Sequence, residues 1–156
     1  MTSETTGRPL EMPLRAIGVV RSRLKRRGKH DCRDVAAEIV LDNGLTGALD
    51  NLDDFSHIIV IYWMHRAHAS FPMKVHSRGR DDVPLVGVFA SRSPDRPNPL
   101  GHTVVRLLEK RANILKVKGL DAIDGTPVID IKPYIPKMDA AGDATAPPWT
   151  EWMSRD

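Results

Sequence analysis

The residues best able to do chemistry fall in three stretches. The first is Gly87 to Gly101, GVFASRSPDRPNPLG, which carries Arg92, Arg96 and Asn98. A guanidinium offers a planar fork of donors suited to carboxylate or phosphate. Pro94, Pro97 and Pro99 lack backbone donors and fix their own φ. Each also pushes the residue before it (Ser93, Arg96, Asn98) into extended geometry. The loop therefore presents its arginines on a backbone with little freedom to lose. Rigid polar loops on a scaffold tend to carry function. The plainer alternative is a surface connection between strands. The Asn98-Pro99 step and Gly101 read as a tight exit.

The second stretch is LDAIDGTP, Leu120 to Pro127, with Asp121 and Asp124 ahead of Gly125. It reads either as a loop offering two carboxylates or as an ordinary hairpin turn. The third is Met64-His65-Arg66, at the end of a long apolar run. His65 there serves as a base or hydrogen-bond partner, or merely caps a strand. A metal reading of His65, His68 and His76, with Asp53 and Asp54 upstream, matches no zinc spacing such as HExxH. The expectation is no metal. Cys32 is the only cysteine, so it forms no internal disulfide. As a nucleophile it lacks a helix N-terminus; only the basic residues around it would lower its pKa.

Short strands position these stretches. Leu14 to Ser22 reads as the first and Val35 to Asp42 as the second. Gly44 to Asp54 spaces Leu45, Ala48, Leu49 and Leu52 as a short helix. Ile58 to Met64 is continuous and β-branched, which predicts a strand buried on both faces. Val86, Val88 and Phe89 predict a central strand leading into the arginine loop. His102 to Glu109 and Ile114 to Leu120 flank the turn Lys110 to Asn113. In the second of these, Leu115, Val117 and Gly119 alternate with Lys116 and Lys118. Val128 to Ile131 is the last strand, ended by Pro133 and Pro136. Strands at this spacing with one or two short helices predict a mainly β fold, a small antiparallel barrel. A Rossmann fold is disfavoured, because no GxGxxG occurs.

The division expected is a flexible tail over 1–13, a barrel domain over 14–136 and a short C-terminal tail over 137–156, with no separate C-terminal domain. Trp149 and Trp152, three apart in that tail, suggest an apolar turn that docks on the barrel or on a partner subunit. At 156 residues, 41% hydrophobic and 28% charged, the chain suits one globular domain. No apolar run approaches about 18 residues and the N-terminus has no apolar core, so neither a membrane span nor a signal peptide is expected. Together with the lone cysteine this predicts a cytoplasmic protein. Net charge is +3, unevenly spread. Arg21, Arg23, Lys25, Arg26, Arg27, Lys29 and Arg33 face one acid, Asp31, over thirteen residues. Such a run either attracts phosphates in a salt-dependent way or is a solvated loop.

GVFASRSPDRPNPLG followed by LDAIDGTPVIDIKPYIP resembles the TsaA-like (YaeB/TrmO) family, from about Ile17 to Pro136. The resemblance implies a β-barrel methyltransferase that uses S-adenosylmethionine and works as a homodimer. It puts Arg33, His65, Arg66, Arg92, Leu107 and the loop Leu120-Asp121-Ala122-Ile123-Asp124 at the methyl donor. The implied acceptor is the exocyclic nitrogen of threonylcarbamoyladenosine beside the anticodon of tRNA; Arg26 and Arg27 of the basic run and Arg96 and Asn98 of the arginine loop are the candidate acceptor-binding residues. His65 and Asp124 are the two candidates to take the proton that nitrogen loses. Phe89 and Trp63 are aromatic candidates near the donor's sulfonium. The chain departs from the family at two motifs. The usual Pro-Arg-Gln is replaced by the stretch His30-Asp31-Cys32-Arg33-Asp34, and the usual His-Gln reads His65-Arg66. Two alternatives remain open: a small-molecule methyltransferase, and a non-catalytic barrel that binds S-adenosylmethionine or RNA.

Overall fold

A computed structural model describes residues 10–28 and 30–154. Lys29 of the basic run and residues 1–9 of the predicted tail lie outside it. Eight strands form: β1 (Gly18–Arg21), β2 (Ala36–Leu41), β3 (His57–Trp63), β4 (Lys74–His76), β5 (Leu85–Gly87), β6 (Leu100–Arg111), β7 (Ile114–Lys118) and β8 (Pro127–Pro133). Six of them close into a barrel in the order β1-β2-β7-β6-β3-β8, and every neighbouring pair is antiparallel. Closure leaves these strands without open edges. The mainly β expectation holds.

The interior follows from side-chain parity. Successive residues of a strand point to opposite faces. Val20, Ile39, Ile58, Val60, Leu115, Val117 and Val128 all point inward, each at most 1% exposed. Burying a side chain of this size stabilises the fold by about 1.5–3 kcal/mol. Leu115 and Val117 face in while Lys116 faces out, as their alternation predicts.

Three expectations need correction. Gly44 to Asp54 forms two 3-10 turns, Asn43–Leu49 and Leu52–Asp54, broken by the left-handed Asn51 (φ 62°). Gly44 and Gly47 favour no continuous α-helix there. The run in β3 is fully buried on one face only: Ile58, Val60 and Tyr62 are buried, and the residues between them half-buried. Barrel closure gives such a strand one interior face and one exterior face. Finally, the segment before the arginine loop is not a central strand. β5 pairs only with β4, in a separate two-stranded sheet, and Val88–Ala90 is a 3-10 turn. Phe89 is consequently 78% exposed.

The tail carries one α-helical turn, Pro136–Asp139, and a 3-10 segment, Pro148–Ser154. Trp152 docks on the chain itself, 5.4 Å from the Arg78 guanidinium and 4.4 Å from that of Arg80. Among the described residues no helix is long and apolar enough to cross a membrane.

Gly101 sits opposite Tyr62 in the β3–β6 ladder. A Cβ there would meet the Tyr62 ring at 2.6 Å (Cζ) and 3.0 Å (Cδ2). Gly101→Ala is therefore expected to destabilise the protein by about 1–3 kcal/mol, as overpacking does. Urea unfolding checks it; an unchanged midpoint would show that the ring relocates without strain.

Candidate active site

One end of the barrel, where β1 and β3 finish and β6 and β8 begin, opens into a cleft of ≈ 400 Å³. That size falls within the about 300–1,000 Å³ of small-molecule sites. Its floor comes from Tyr62, Leu100, Gly101 and Thr126. One wall is Met64 to Ala67, and another is Asp121 to Ile123. Arg92, Pro94 and Arg96 close a third side, with Leu24, Arg26, Arg27, Gly28 and His30 of the basic segment across from them. The three chemistry-bearing stretches thus meet, although they are far apart in sequence.

The Asp121 loop is held at nearly every residue. Tyr62 donates its hydroxyl to the Asp121 carbonyl at 2.7 Å. That uses the phenol's only proton, so Thr103 Oγ1, at 3.0 Å, donates to the Tyr62 oxygen. Burial pushes the Tyr62 hydroxyl up to about 12, so it stays a donor at neutral pH. The Thr126 hydroxyl donates to the Ile123 carbonyl at 2.7 Å. Leu120 and Ala122 are buried beneath. Asp124 clamps the basic segment: its carboxylate accepts from the Ser22 amide at 2.9 Å and from Lys25 at 2.7 Å. The Lys25 hydrogen bond, joined by that amide, lowers its pKa.

A second hub is Asp95, inside the arginine loop. Its two oxygens both accept from Arg27 Nη2 at 3.1 Å, and it also accepts from the His68 amide at 2.8 Å and from His68 Nδ1 at 2.9 Å. Burial alone would raise its pKa, but these donors hold it at about 2. Arg27 also donates to the Arg66 carbonyl at 3.0 Å. One side chain thereby fastens the basic segment to both the arginine loop and the end of β3.

The predicted site residues separate by placement. His65, Arg66, Arg92, Asp121, Ala122, Ile123, Arg26, Arg27 and Arg96 line the cleft. Arg33, Leu107, Leu120, Asn98 and Asp124 do not. Arg33 forks onto Asp31 at 3.0 and 2.9 Å. Leu107 packs on the core. Asn98 is exposed, and its carbonyl accepts from the Leu100 amide at 2.7 Å in the tight exit. The Asp124 carboxylate borders an outer groove with Arg21, Arg23 and Lys116. Arg96 lines the cleft, but its guanidinium donates to the carbonyls of Ser91, Ser93 and Val88 at 3.2–3.4 Å. It ties the loop to itself. Arg92 is exposed and makes no hydrogen bond or ion pair among the described residues, so its fork is available to a ligand.

Neither aromatic candidate lines the cleft: Tyr62 points into the barrel, so Trp63 next to it points out, and Phe89 is exposed on its 3-10 turn. Tyr62, His102 and Arg78 are lining residues that sequence reasoning missed. Tyr62 was legible from its in-phase position with Ile58 and Val60. Arg78 was not, because its segment reads as a polar loop.

His65 is half-buried, and its Nδ1 is buried with no hydrogen-bond partner. Burial, with the nearby Arg66 charge, lowers its pKa below the usual imidazole value. It is therefore neutral at pH 7 and able to accept a proton. Cys32 is the opposite case: burial pushes its thiol up to about 12, and it donates to Asp121 Oδ1 at 3.4 Å. It is a poor nucleophile. Among the described residues no group of three or more His, Cys, Asp or Glu could hold a metal ion.

The fold and site together define a closed antiparallel barrel with an arginine-walled cleft at one mouth. The family described as the tRNA-methyltransferase O N-terminal domain matches residues 8–140, and the chain belongs to that family. A relative from Methanothermobacter thermautotrophicus, described as a "Probable S-adenosyl-L-methionine-binding protein", is 43% identical over 85% of this chain and 97% of its own. The crystal structure of TrmO from Pseudomonas aeruginosa superposes with a TM-score of 0.70 at 31% identity, covering 87% of this chain and 62% of that one. The mouse tRNA (adenine(37)-N6)-methyltransferase is 39% identical over 60% of this chain and 22% of its own length. This chain thus spans less than two thirds of either methyltransferase.

The Asp95 hub predicts a pH signature. Its folded pKa, about 2, lies below the ordinary 3.8. The stabilisation is present above the ordinary value and is lost as pH falls through the folded one. Asp95→Asn should cost on the order of 1 kcal/mol at pH 7, after allowing for solvent screening. The gap from wild type should close between about pH 4 and 2. Urea midpoints across that range check it, and a gap independent of pH would deny the carboxylate this role.

Proposed function

We propose that this protein transfers the methyl group of S-adenosylmethionine to N6 of threonylcarbamoyladenosine beside the anticodon of tRNA. The observation that carries the reading is the convergence of His65, Arg92 and the Asp121–Ile123 loop on one cleft, in a chain of the tRNA-methyltransferase O family. The mouse relative's activity supports the adenine acceptor. The reading includes a homodimer, supported by exposed Val104 and Leu108 along the outer side of β6. It also includes a cytoplasmic location, where a tRNA acceptor would be met.

The residues fit the donor. The orphaned Nδ1 of His65 offers a polar contact inside the cleft, and backbone groups of Asp121 to Ile123 are held still at its wall. When bound, S-adenosylmethionine supplies an already activated methyl on a positive sulfur. The protein's task is then to align the acceptor and exclude water. Arg92 holds an anionic group of the ligand. The Tyr62–Asp121 bond fixes the loop before any ligand arrives, so less ordering is needed on binding. His65, neutral at pH 7, takes the proton that the N6 nitrogen loses. Asp124, clamped by Lys25 and Ser22, holds the loop in place instead.

Calorimetric titration with S-adenosylmethionine, followed by transfer of labelled methyl to bulk tRNA, tests the reading. One-to-one binding per chain with turnover is expected. Binding without turnover on any tRNA pool would leave a binding barrel, the activity in the archaeal relative's description. Arg92→Ala should weaken donor binding about tenfold or more, as loss of a charged hydrogen bond does; equal affinity would remove Arg92 from the donor site.

His65→Gln is expected to lower kcat by about 10²-fold or more, the usual worth of a general base. In the wild type, kcat should be level near pH 7 and fall only below the ordinary imidazole pKa, because His65 titrates lower. A profile falling from pH 8 downward would assign the proton to another group.

A further inference from the structure

Arg78 enters the cleft from outside the three stretches that define it. It lies in the turn Ser77–Gly79, between β4 and β5, with a left-handed backbone (φ 52°). A non-glycine residue in that region is costly, and such strain persists where the surroundings impose it. The Trp152 ring lies 5.4 Å from the Arg78 guanidinium. Arg80 lies over the same ring at 4.4 Å.

The two arginines differ in what else they meet. Arg80 forks onto Asp82, donating from Nε at 2.8 Å and also from Nη2. Its charge is compensated and it does not line the cleft. Arg78 has no hydrogen bond or ion pair among the described residues, only the Trp152 ring. An aromatic face attracts a cation by about 0.5–1 kcal/mol at exposed sites but leaves every N–H donor unused. A planar fork of five donors, borne on a turn and backed by a ring, suits a carboxylate or phosphate oxygen pair. The Arg78 charge also reaches Cys32, which donates to Asp121 Oδ1, so it acts beside the donor loop. The tail reaches this turn through Pro148–Ser154, and the Trp152 Nε1 is buried there without a partner. Burying an unpaired donor has a cost, so the ring is held in place by its packing and by the two guanidiniums beside it.

Resting on the methyltransferase reading, we infer that Arg78 binds an anionic group of the tRNA acceptor and that Trp152 is a positioning residue that holds its guanidinium at the cleft. The anion is either a backbone phosphate or the carboxylate of the threonylcarbamoyl group, since both present the oxygen pair that the fork fits. The C-terminal segment, distant in sequence from the other cleft residues, thereby sets acceptor affinity without touching the acceptor.

The test measures binding of two tRNA preparations, with and without the threonylcarbamoyl group, at several salt concentrations, alongside calorimetry with S-adenosylmethionine. Arg78→Ala is expected to weaken tRNA binding about ten- to a hundredfold and leave donor affinity unchanged. If the partner is a phosphate, both preparations lose affinity and the salt slope falls by about 1. If it is the carboxylate, only the modified tRNA loses. Arg78→Lys should restore part of the loss, because charge remains but the fork does not. Trp152→Ala should reproduce most of the Arg78→Ala effect, Trp152→Phe should recover much of it, and the double variant should bind no worse than Arg78→Ala alone. Losses that add would show that Trp152 acts independently of Arg78 and overturn the positioning role. Wild-type tRNA affinity in Arg78→Ala would overturn the inference alone. A wild-type protein that binds the donor but neither tRNA would overturn the proposed acceptor, and this inference with it.

Discussion

The structure depends on a single tyrosine that does two jobs at one place. Tyr62 lays its ring against the bare backbone of Gly101 and sends its hydroxyl to the Asp121 carbonyl. The first contact welds β3 to the start of β6; the second fixes the loop that becomes a cleft wall. The first contact is strained by a larger residue at 101, and the second is lost without a phenolic proton at 62. The buried bond is strong because its dielectric surroundings are low, and leaving the Asp121 carbonyl unpaired there would be correspondingly costly. Barrel packing and site geometry are thus one constraint.

Around that anchor the charges divide into those used for building and those left for binding. Arg27, Arg96 and Asp95 are engaged within the protein and tie the arginine loop down. Asp124 does the same for the segment beyond β1. Arg92 and Arg78 remain as uncommitted forks at the cleft, with His65 held neutral between burial and the Arg66 charge. A site of this kind is organised before its ligand arrives, which reduces the ordering that binding must impose. The excess of positive charge also raises the local potential at the mouth.

The chain's departures from its family pattern lie in this same division. Arg33, in the altered stretch, turns onto Asp31 and away from the cleft, while Arg27 and His30 of the basic segment face it. Arg66, standing where the family usually has glutamine, contributes its carbonyl to Arg27 and its charge to His65. The barrel closes with both stretches as they stand.

The amino-acid sequence by itself determined the six strands of the barrel, its closure as a β fold and the existence of the three chemistry-bearing stretches. Those are local matters: alternation in Ile114–Lys118, proline in the arginine loop, glycine at the turns. It also determined the family, because two long motifs are peculiar in composition. It did not distinguish one buried face from two in β3, since a continuous apolar run looks the same until barrel closure assigns an inside. It misplaced Phe89 because β-formers read as a strand while their hydrogen-bond partner, the short β4, was hidden in a polar stretch. Which arginines bind and which brace is a long-range property. Arg27 is committed by Asp95, sixty-eight residues away, and Arg78 is brought to the cleft beside a tryptophan seventy-four residues on. Only the tertiary structure decides such pairings, because a guanidinium has the same chemistry everywhere and its partner alone sets what it does.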